Sequence, residues 1–366
     1  MSYDYLIVGS GFFGATFARL VTDLGKKCLI IESRNHIGGN AYTEKRNDID
    51  VHVYGPHIFH TNNERIWKFV NQFTKFNNFI LSPKSYRNGK IYSLPFNMNT
   101  FYEIWGTITP KQAQEKIQSQ MFLGEPKNLE EQALKLVGKD IYDLLIKDYT
   151  IKQWKKNPKE LPAFIIKRLP LRFTYDNNYF DDNYQGIPVY GYTKLFENML
   201  HDIEVKLNTN YFDDTNYWNN IAKKIVYTGK IDEFFNYEFG ELEYRSLRFE
   251  HQELEIENYQ GNAVINYPEL QYDWTRIVEH KHFTKVQTKN TIITKEYPTN
   301  WNKNEQPYYP INDEKNTKIY EKYRDKSLSI KDKFIFGGRL SEYRYYDMHQ
   351  VIGSAMKQVE VLKDEI

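Results

Sequence analysis

Strand, glycine turn, helix, strand and acid follow one another at the start of this chain, and no other feature constrains its fold as much. Tyr5-Leu6-Ile7-Val8 is an apolar run of buried-strand length. It passes into Gly9-Ser10-Gly11-Phe12-Phe13-Gly14, then a helix-forming stretch from Ala15 to Leu24, then Cys28-Leu29-Ile30-Ile31, ending on Glu32. A βαβ unit with GxGxxG at its first turn is built to hold a dinucleotide. Gly9 permits the tight turn, Gly11 lets backbone approach a pyrophosphate, and Gly14 lets helix and strand pack closely. The helix N-terminus offers free N–H groups and a positive dipole end to the phosphates. Glu32 is placed to accept hydrogen bonds from ribose hydroxyls and would repel a 2′-phosphate, so NADP is not expected here. GxGxxG alone is weak evidence; here every flanking element agrees with it.

The acid does not separate NAD from FAD, but the next residues do. Arg34-Asn35-His36-Ile37-Gly38-Gly39-Asn40 sets a glycine doublet just after Glu32. That resembles the extended fingerprint of the FAD-binding oxidase and reductase superfamily. Lys224-Ile225-Val226-Tyr227-Thr228-Gly229 and Lys333-Phe334-Ile335-Phe336-Gly337-Gly338-Arg339 read as strands ending in glycine. In that superfamily such strand ends return to the cofactor late in the chain.

At 366 residues the chain can bury a large core and hold more than one domain. Lys plus Arg is 49 against 48 Asp plus Glu, which gives no electrostatic reason to expect nucleic acid or an acidic membrane surface. The one cysteine, Cys28, excludes an internal disulfide and reads as a core residue of the second strand. No apolar run has membrane-spanning length and the chain opens on a strand, so a cytoplasmic protein is expected. Aromatics are 16% of the chain. Either this is compositional bias, or some of the 30 tyrosines line a sugar or base site, offering an apolar face and a polar tip.

The expected fold class is α/β with α+β insertions. A Rossmann-like FAD-binding domain (1–79, 189–235 and 332–366) is interrupted by a helical domain (96–160) and an antiparallel sheet domain (80–95, 161–188 and 236–331). Residues 83–95 alternate around Asn88-Gly89 and predict a hairpin. Thr109-Pro110 starts a helix. Helices are predicted over 111–122, 129–137 and 141–154, separated by Gly124, Pro126 and Gly138. Strands are predicted over 245–250, 261–266, 275–280 and 290–296, and helices over 191–200 and 346–362.

Longer motifs then carry a more specific resemblance. Tyr54-Gly55-Pro56-His57-Ile58-Phe59-His60-Thr61, Leu94-Pro95-Phe96-Asn97-Met98-Asn99-Thr100-Phe101, Tyr149-Thr150-Ile151-Lys152-Gln153-Trp154, Gly261-Asn262-Ala263-Val264-Ile265-Asn266 and Tyr345-Tyr346-Asp347-Met348-His349-Gln350 resemble segments of the bacterial UDP-galactopyranose mutases, in order and over essentially the whole chain. The resemblance implies interconversion of UDP-galactopyranose and UDP-galactofuranose on reduced FAD, without net redox change. Arg168 and Arg276 would clamp the diphosphate, for which a guanidinium fork is suited. Tyr149, Thr150, Trp154 and Tyr179 would line the uridine and diphosphate channel. Tyr309 and Tyr345 would reach diphosphate or sugar, with Tyr308 the neighbouring alternative to Tyr309. Asn266 would contact sugar or nucleotide, and Asp347 would shape the electrostatics near the flavin. His57 would tune the flavin, and Arg339 would stabilise its anionic reduced form. The cofactor contacts implied are Gly9, Gly11, Phe13, Gly14, Glu32, Ser33, Gly39, Asn40, His57, Ile58, Gly229, Arg339, Tyr346 and Met348.

The mechanism so implied is covalent catalysis through flavin N5: UDP leaves, the sugar opens and recloses, and UDP returns. NADPH is a possible external reductant, a homodimer is expected, and the product would serve cell-surface polysaccharide. No metal is expected; His280-Lys281-His282 reads as strand surface. The rival reading is an FAD-dependent oxidoreductase acting on a nucleotide sugar or amine, against which stands the lack of a second glycine fingerprint for NAD(P)H. One departure from the family pattern is Tyr190, in Gly186-Ile187-Pro188-Val189-Tyr190-Gly191-Tyr192-Thr193, where the family has glycine. It puts the backbone of that turn in question.

Overall fold

Strands buried on both faces read as unbroken apolar runs, and those flanking the glycine turn are of this kind. The computed structural model describes residues 2–166, 169–303 and 305–363. It places β1 (Tyr3–Val8) at the centre of a five-stranded sheet in the order Phe334–Phe336, Ala222–Tyr227, β1, β2 (Cys28–Ile31), Glu204–Lys206. All its pairings are parallel, and Leu6 stands opposite both Ile225 and Leu29. One sheet is thus assembled from distant parts of the chain. The helix α1 (Phe12–Asp23), the helix Gly191–Met199 and the helix Met348–Lys363 cover one face, burying Phe12, Phe17, Val21, Phe196, Ile352 and Met356 together. Each such side chain contributes about 1.5–3 kcal/mol through burial. Tyr211 and Trp218 cover the other face, packing with Leu6, Ile225 and Tyr227 of the sheet.

A seven-stranded sheet runs in the order Tyr309–Pro310, Tyr244–Leu254, Thr291–Asn300, Arg276–Glu279, Val264–Asn266, Lys84–Arg87, Lys90–Ser93. It is mixed rather than wholly antiparallel, because Val264–Asn266 pairs parallel with Lys84–Arg87. The expected hairpin is there, with Asn88 and Gly89 both left-handed, as a type I′ turn requires.

Met98–Trp105, Pro110–Gln118 and Leu129–Ile141 are helices around a separate core containing Phe101, Ile117, Val137 and Ile141. Gly138 was expected to separate two helices. It does so, at a kink within Leu129–Ile141 where its own backbone is non-helical at φ 76°, and a π-helical turn, Tyr142–Ile146, leads into α2 (Lys147–Trp154). A helix absent from the sequence expectations, Glu314–Leu328, lies within 236–331; it buries only Asn316 and Tyr323, so its sequence carries almost no apolar stripe. Tyr190 has φ −111°, and the left-handed position falls on Gly191 at +75°, so the extra side chain costs the turn no strain. Among the described residues no helix is long and apolar enough to cross a membrane.

Candidate active site

Sheet register builds one wall of the site. Ser85, Asn266, Arg276 and Glu296 are successive partners across four neighbouring strands, so their side chains share one face. All four line a cavity of about 420 Å³. Glu296 is buried and its Oε1 lies 3.5 Å from Arg276 Nε. Burial pushes the Glu296 carboxyl up, and the Arg276 charge opposes that shift. Asn266 Oδ1 and Arg276 Nε are buried with no hydrogen-bond partner among the described residues. Such atoms are costly to leave unpaired and mark a surface shaped for a polar ligand.

The opposite wall is α2. A π-helical turn rotates the helix after it, and such turns recur at functional sites. Here the rotation presents Tyr149, Thr150, Gln153 and Trp154, one helical face by spacing, to the cavity. Lys155, left-handed at φ 52°, ends the helix. The two walls touch where Arg276 Nη2 donates to Tyr149 Oη at 2.7 Å. Tyr179 lines the same cavity, alongside an apolar end formed by Leu94, Pro95, Phe96, Leu145 and Ile146.

The third side is aromatic and cationic. Tyr309 and Tyr345 stack with centroids 5.0 Å apart, and Arg339 Cζ lies 5.7 Å from the Tyr309 ring. Arg339 donates from Nη1 to the Tyr308 carbonyl (3.0 Å) and from Nη2 to that of Tyr346 (2.5 Å). These bonds lock a fixed positive charge in place. Burial pushes the Tyr309 phenol up to about 12, so it stays a donor. Asp347 and His60 line this side, with His60 Nδ1 2.6 Å from Asp182. His60, Asp347 and His349 hold their polar atoms within 4.8 Å of one another, the one group of this kind among the described residues.

A second cavity, of about 430 Å³, runs along the glycine turn. It is lined by Gly9, Gly11, Phe13, Gly14, Glu32, Ser33, Gly39, Asn40 and Gly229. A Cβ on Gly39 would stand 3.1 Å from Gly11 Cα, so two glycine-bearing turns face each other as bare backbone. That is the cradle a pyrophosphate needs, and Arg34 Nη1 is buried nearby without a partner. Glu32 accepts from Ser10 N and Ser10 Oγ, and from Arg34 N. The residues present therefore fit FAD. Phe13 offers its backbone only, since its ring is buried and pressed on Gly337. Tyr346 lines a third cavity and meets Arg339 through its carbonyl. Ile58 lines the first cavity, not the second.

The two cavities meet at His57, Arg339 and Met348. His57 Nδ1 lies 2.8 Å from the Gly55 carbonyl, and its backbone N–H donates to His52 Nδ1. His52 N–H donates in turn to His280 Nδ1, and His280 Nε2 reaches Thr294. His280 is therefore a buried support of this layer, which corrects its reading as strand surface: the strand ends at Glu279 and the chain turns inward. Burial lowers all three: His57 to about 4, with the Arg339 charge adding to the effect, His280 to about 3, and His52 well below its ordinary value. As pH falls below 6.5 the unfolded chain takes up protons that these folded imidazoles refuse. Stability present above pH 6.5 is therefore lost towards pH 4, by about 1.4 kcal/mol per pH unit for each group. We expect the melting temperature to fall across that range, with a shallower slope for His280→Asn. Equal slopes for the two proteins would contradict the burial argument.

Every substrate-side residue expected from sequence lines the first cavity, except Arg168, which lies outside the described residues. Sequence reasoning missed Glu296 and Ser85, which have no local signal, and Gln153, which lies inside the Tyr149–Trp154 motif.

The UDP-galactopyranose mutase family model matches residues 144–345, and a model of NAD(P)-binding Rossmann-like domains matches residues 7–73. The chain is 42% identical over 363 residues to a dTDP-fucopyranose mutase of Escherichia coli, covering 96% of each. It is 39% identical to a probable UDP-galactopyranose mutase of Klebsiella pneumoniae, covering 98% of this chain and 94% of that one. A crystal structure of reduced UDP-galactopyranose mutase shares the fold, with a TM-score of 0.78 at 14% identity, covering 100% of this chain and 95% of that one.

Proposed function

We propose, for a chain that belongs to the UDP-galactopyranose mutase family, that it interconverts UDP-galactopyranose and UDP-galactofuranose on reduced FAD with no net redox change. The enzyme is an isomerase of the intramolecular transferase class. The observation that carries the finer reading is the junction of the two cavities at His57, Arg339 and Met348. Residues of the glycine cleft would hold the dinucleotide and Arg276 would hold the nucleotide sugar, and His57, Arg339 and Met348 face both cavities where the reacting ends would meet.

FAD, when bound and reduced, supplies the nucleophile for the anomeric carbon. The chain's own residues do the rest. Arg276 and Arg168 hold the diphosphate, including while it is detached from the sugar. Tyr149 and Trp154 hold the base, with Thr150 and Tyr179 beside them; Asn266, Tyr309 and Tyr345 orient sugar and diphosphate. Arg339 lends positive charge to an anionic reduced ring, while His57, neutral at pH 7, adds none. Asp347 shapes the field on the sugar side. The reading includes a homodimer, an external reductant such as NADPH and a product destined for cell-surface polysaccharide, all supported by the family resemblance.

A second substrate reading rests on the relative named dTDP-fucopyranose mutase. The apolar end formed by Leu94, Phe96, Leu145 and Ile146 suits a thymine methyl as well as a bare uracil edge. One chromatographic assay tests both. Holoenzyme with UDP-galactofuranose, or with the furanose form of dTDP-fucose, is incubated with and without dithionite. Conversion to the pyranose only under reduction supports the mutase reading, and the faster nucleotide sugar names the substrate. Peroxide release with net sugar oxidation would instead support the oxidoreductase.

A further inference from the structure

We propose that Lys152 is a positioning residue, whose ammonium group sets the distance between the base-holding face of α2 and the strands carrying Asn266 and Arg276. The inference rests on the reading of the first cavity as a nucleoside diphosphate site.

Lys152 sits on the buried side of α2, three residues from Tyr149 and two from Trp154. Its side chain is buried, and Nζ donates to four backbone carbonyls: Tyr267 (2.5 Å), Trp274 (2.6 Å), Tyr272 (2.9 Å) and Glu269 (3.0 Å). Those carbonyls belong to one connection, residues 267–275, which joins the strand ending at Asn266 to the strand beginning at Arg276. The lysine therefore closes that loop around itself and ties it to the helix. An ammonium has three hydrogens, which four converging carbonyls use in full; a neutral side chain cannot satisfy them. No carboxylate lies within ion-pair distance of Nζ among the described residues, so the backbone of this loop is its main partner. The Arg276–Tyr149 bond closes the same ring from the cavity side.

The consequence is geometric. Base and diphosphate of one ligand are gripped by different elements, and their separation is fixed by covalent structure. If α2 and the loop drift apart, the ligand cannot satisfy both grips at once. The group also senses pH: burial lowers the Lys152 ammonium to about 8, Lys155 adds to the lowering, and Asp273, Asp148 and Glu269 oppose it. Well below pH 8 the clasp is charged and has three N–H donors; above it the neutral amine keeps two and turns a lone pair towards the carbonyls.

The test is calorimetric titration of FAD-loaded enzyme with UDP, for wild type, K152M and K152Q, with melting temperature and bound flavin recorded in parallel. The expected result is UDP binding weakened about tenfold or more in K152M and less in K152Q. KM should rise while kcat at saturating sugar stays within about threefold, and flavin should be retained. Wild-type affinity should decline from pH 7 to pH 9, and K152M should show no such decline. A folded, flavin-loaded K152M that binds UDP as wild type does would overturn the proposal. If K152M does not fold, a folded, flavin-loaded K152Q that binds UDP as wild type does would overturn it instead. Wild-type enzyme that binds neither UDP nor dTDP overturns the reading of the cavity, and this inference with it; if only dTDP binds, the same comparisons are read with dTDP.

Discussion

Arg276→Ala is expected to lower kcat/KM by about 10²- to 10³-fold while the flavin stays bound and its spectrum unchanged. The size of the effect follows from what the alanine leaves behind. In the native site the guanidinium faces the cavity, donates to Tyr149 Oη at 2.7 Å and balances the buried Glu296 at 3.5 Å. Removing it takes a positive charge from the diphosphate and also leaves a buried carboxylate without its partner, close to where that diphosphate must bind. Part of the loss should therefore return when Glu296→Gln is added to Arg276→Ala, because the repulsion goes even though the clamp is still missing. If the double variant is no better than the single one, Glu296 takes no part in the effect. Full activity in Arg276→Ala would remove the clamp assignment altogether. Arg168→Ala is expected to behave like Arg276→Ala in the same assay.

The glycine turn and its acid are legible in sequence because their chemistry is local: each residue acts within the turn that carries it. The hairpin at Asn88-Gly89 and the helix start at Thr109-Pro110 are legible for the same reason, and both stand where expected. The row Ser85–Asn266–Arg276–Glu296 is not of this kind. It exists only through register among four strands far apart in sequence, so Asn266 and Arg276 came from family resemblance and Glu296 did not come at all. Periodicity also fails where burial is not apolar. His280 and Lys281 look like surface residues in sequence, yet both are buried, one against Thr294 and the other donating to the carbonyls of Glu257 and Thr288. The helix Glu314–Leu328 is the converse case, a regular element with almost nothing buried to announce it. Gly138 belongs with the legible features: its left-handed backbone interrupts the helix where the sequence places the break.

The same local chemistry makes a paired prediction at the turn, where Gly14→Ala and Gly11→Ala should fail in different ways. A Cβ on Gly14 would lie 2.0 Å from the Gly9 carbonyl oxygen and 3.0 Å from Ile7 Cγ2. The obstacle is the backbone of the turn itself, which cannot rotate aside as a side chain would. Helix α1 would have to lift off β1, and α1 carries much of the apolar layer it shares with the helix Met348–Lys363. The expected cost is about 3 kcal/mol, seen as a lower melting temperature even without flavin. Gly11 is different. Its φ of −70° suits any residue, and its Cβ would meet nothing closer than Gly39 Cα at 3.9 Å. Gly11→Ala should therefore fold as well as the wild-type apoprotein. Its methyl group would stand on the bare backbone that the two turns present to the second cavity, where the pyrophosphate must approach, so FAD affinity should fall by about 10²-fold. Melting temperature of the apoprotein and flavin bound per chain separate the two outcomes. Gly11→Ala retaining FAD at wild-type affinity would show that the bare backbone at Gly11 is not part of the pyrophosphate cradle.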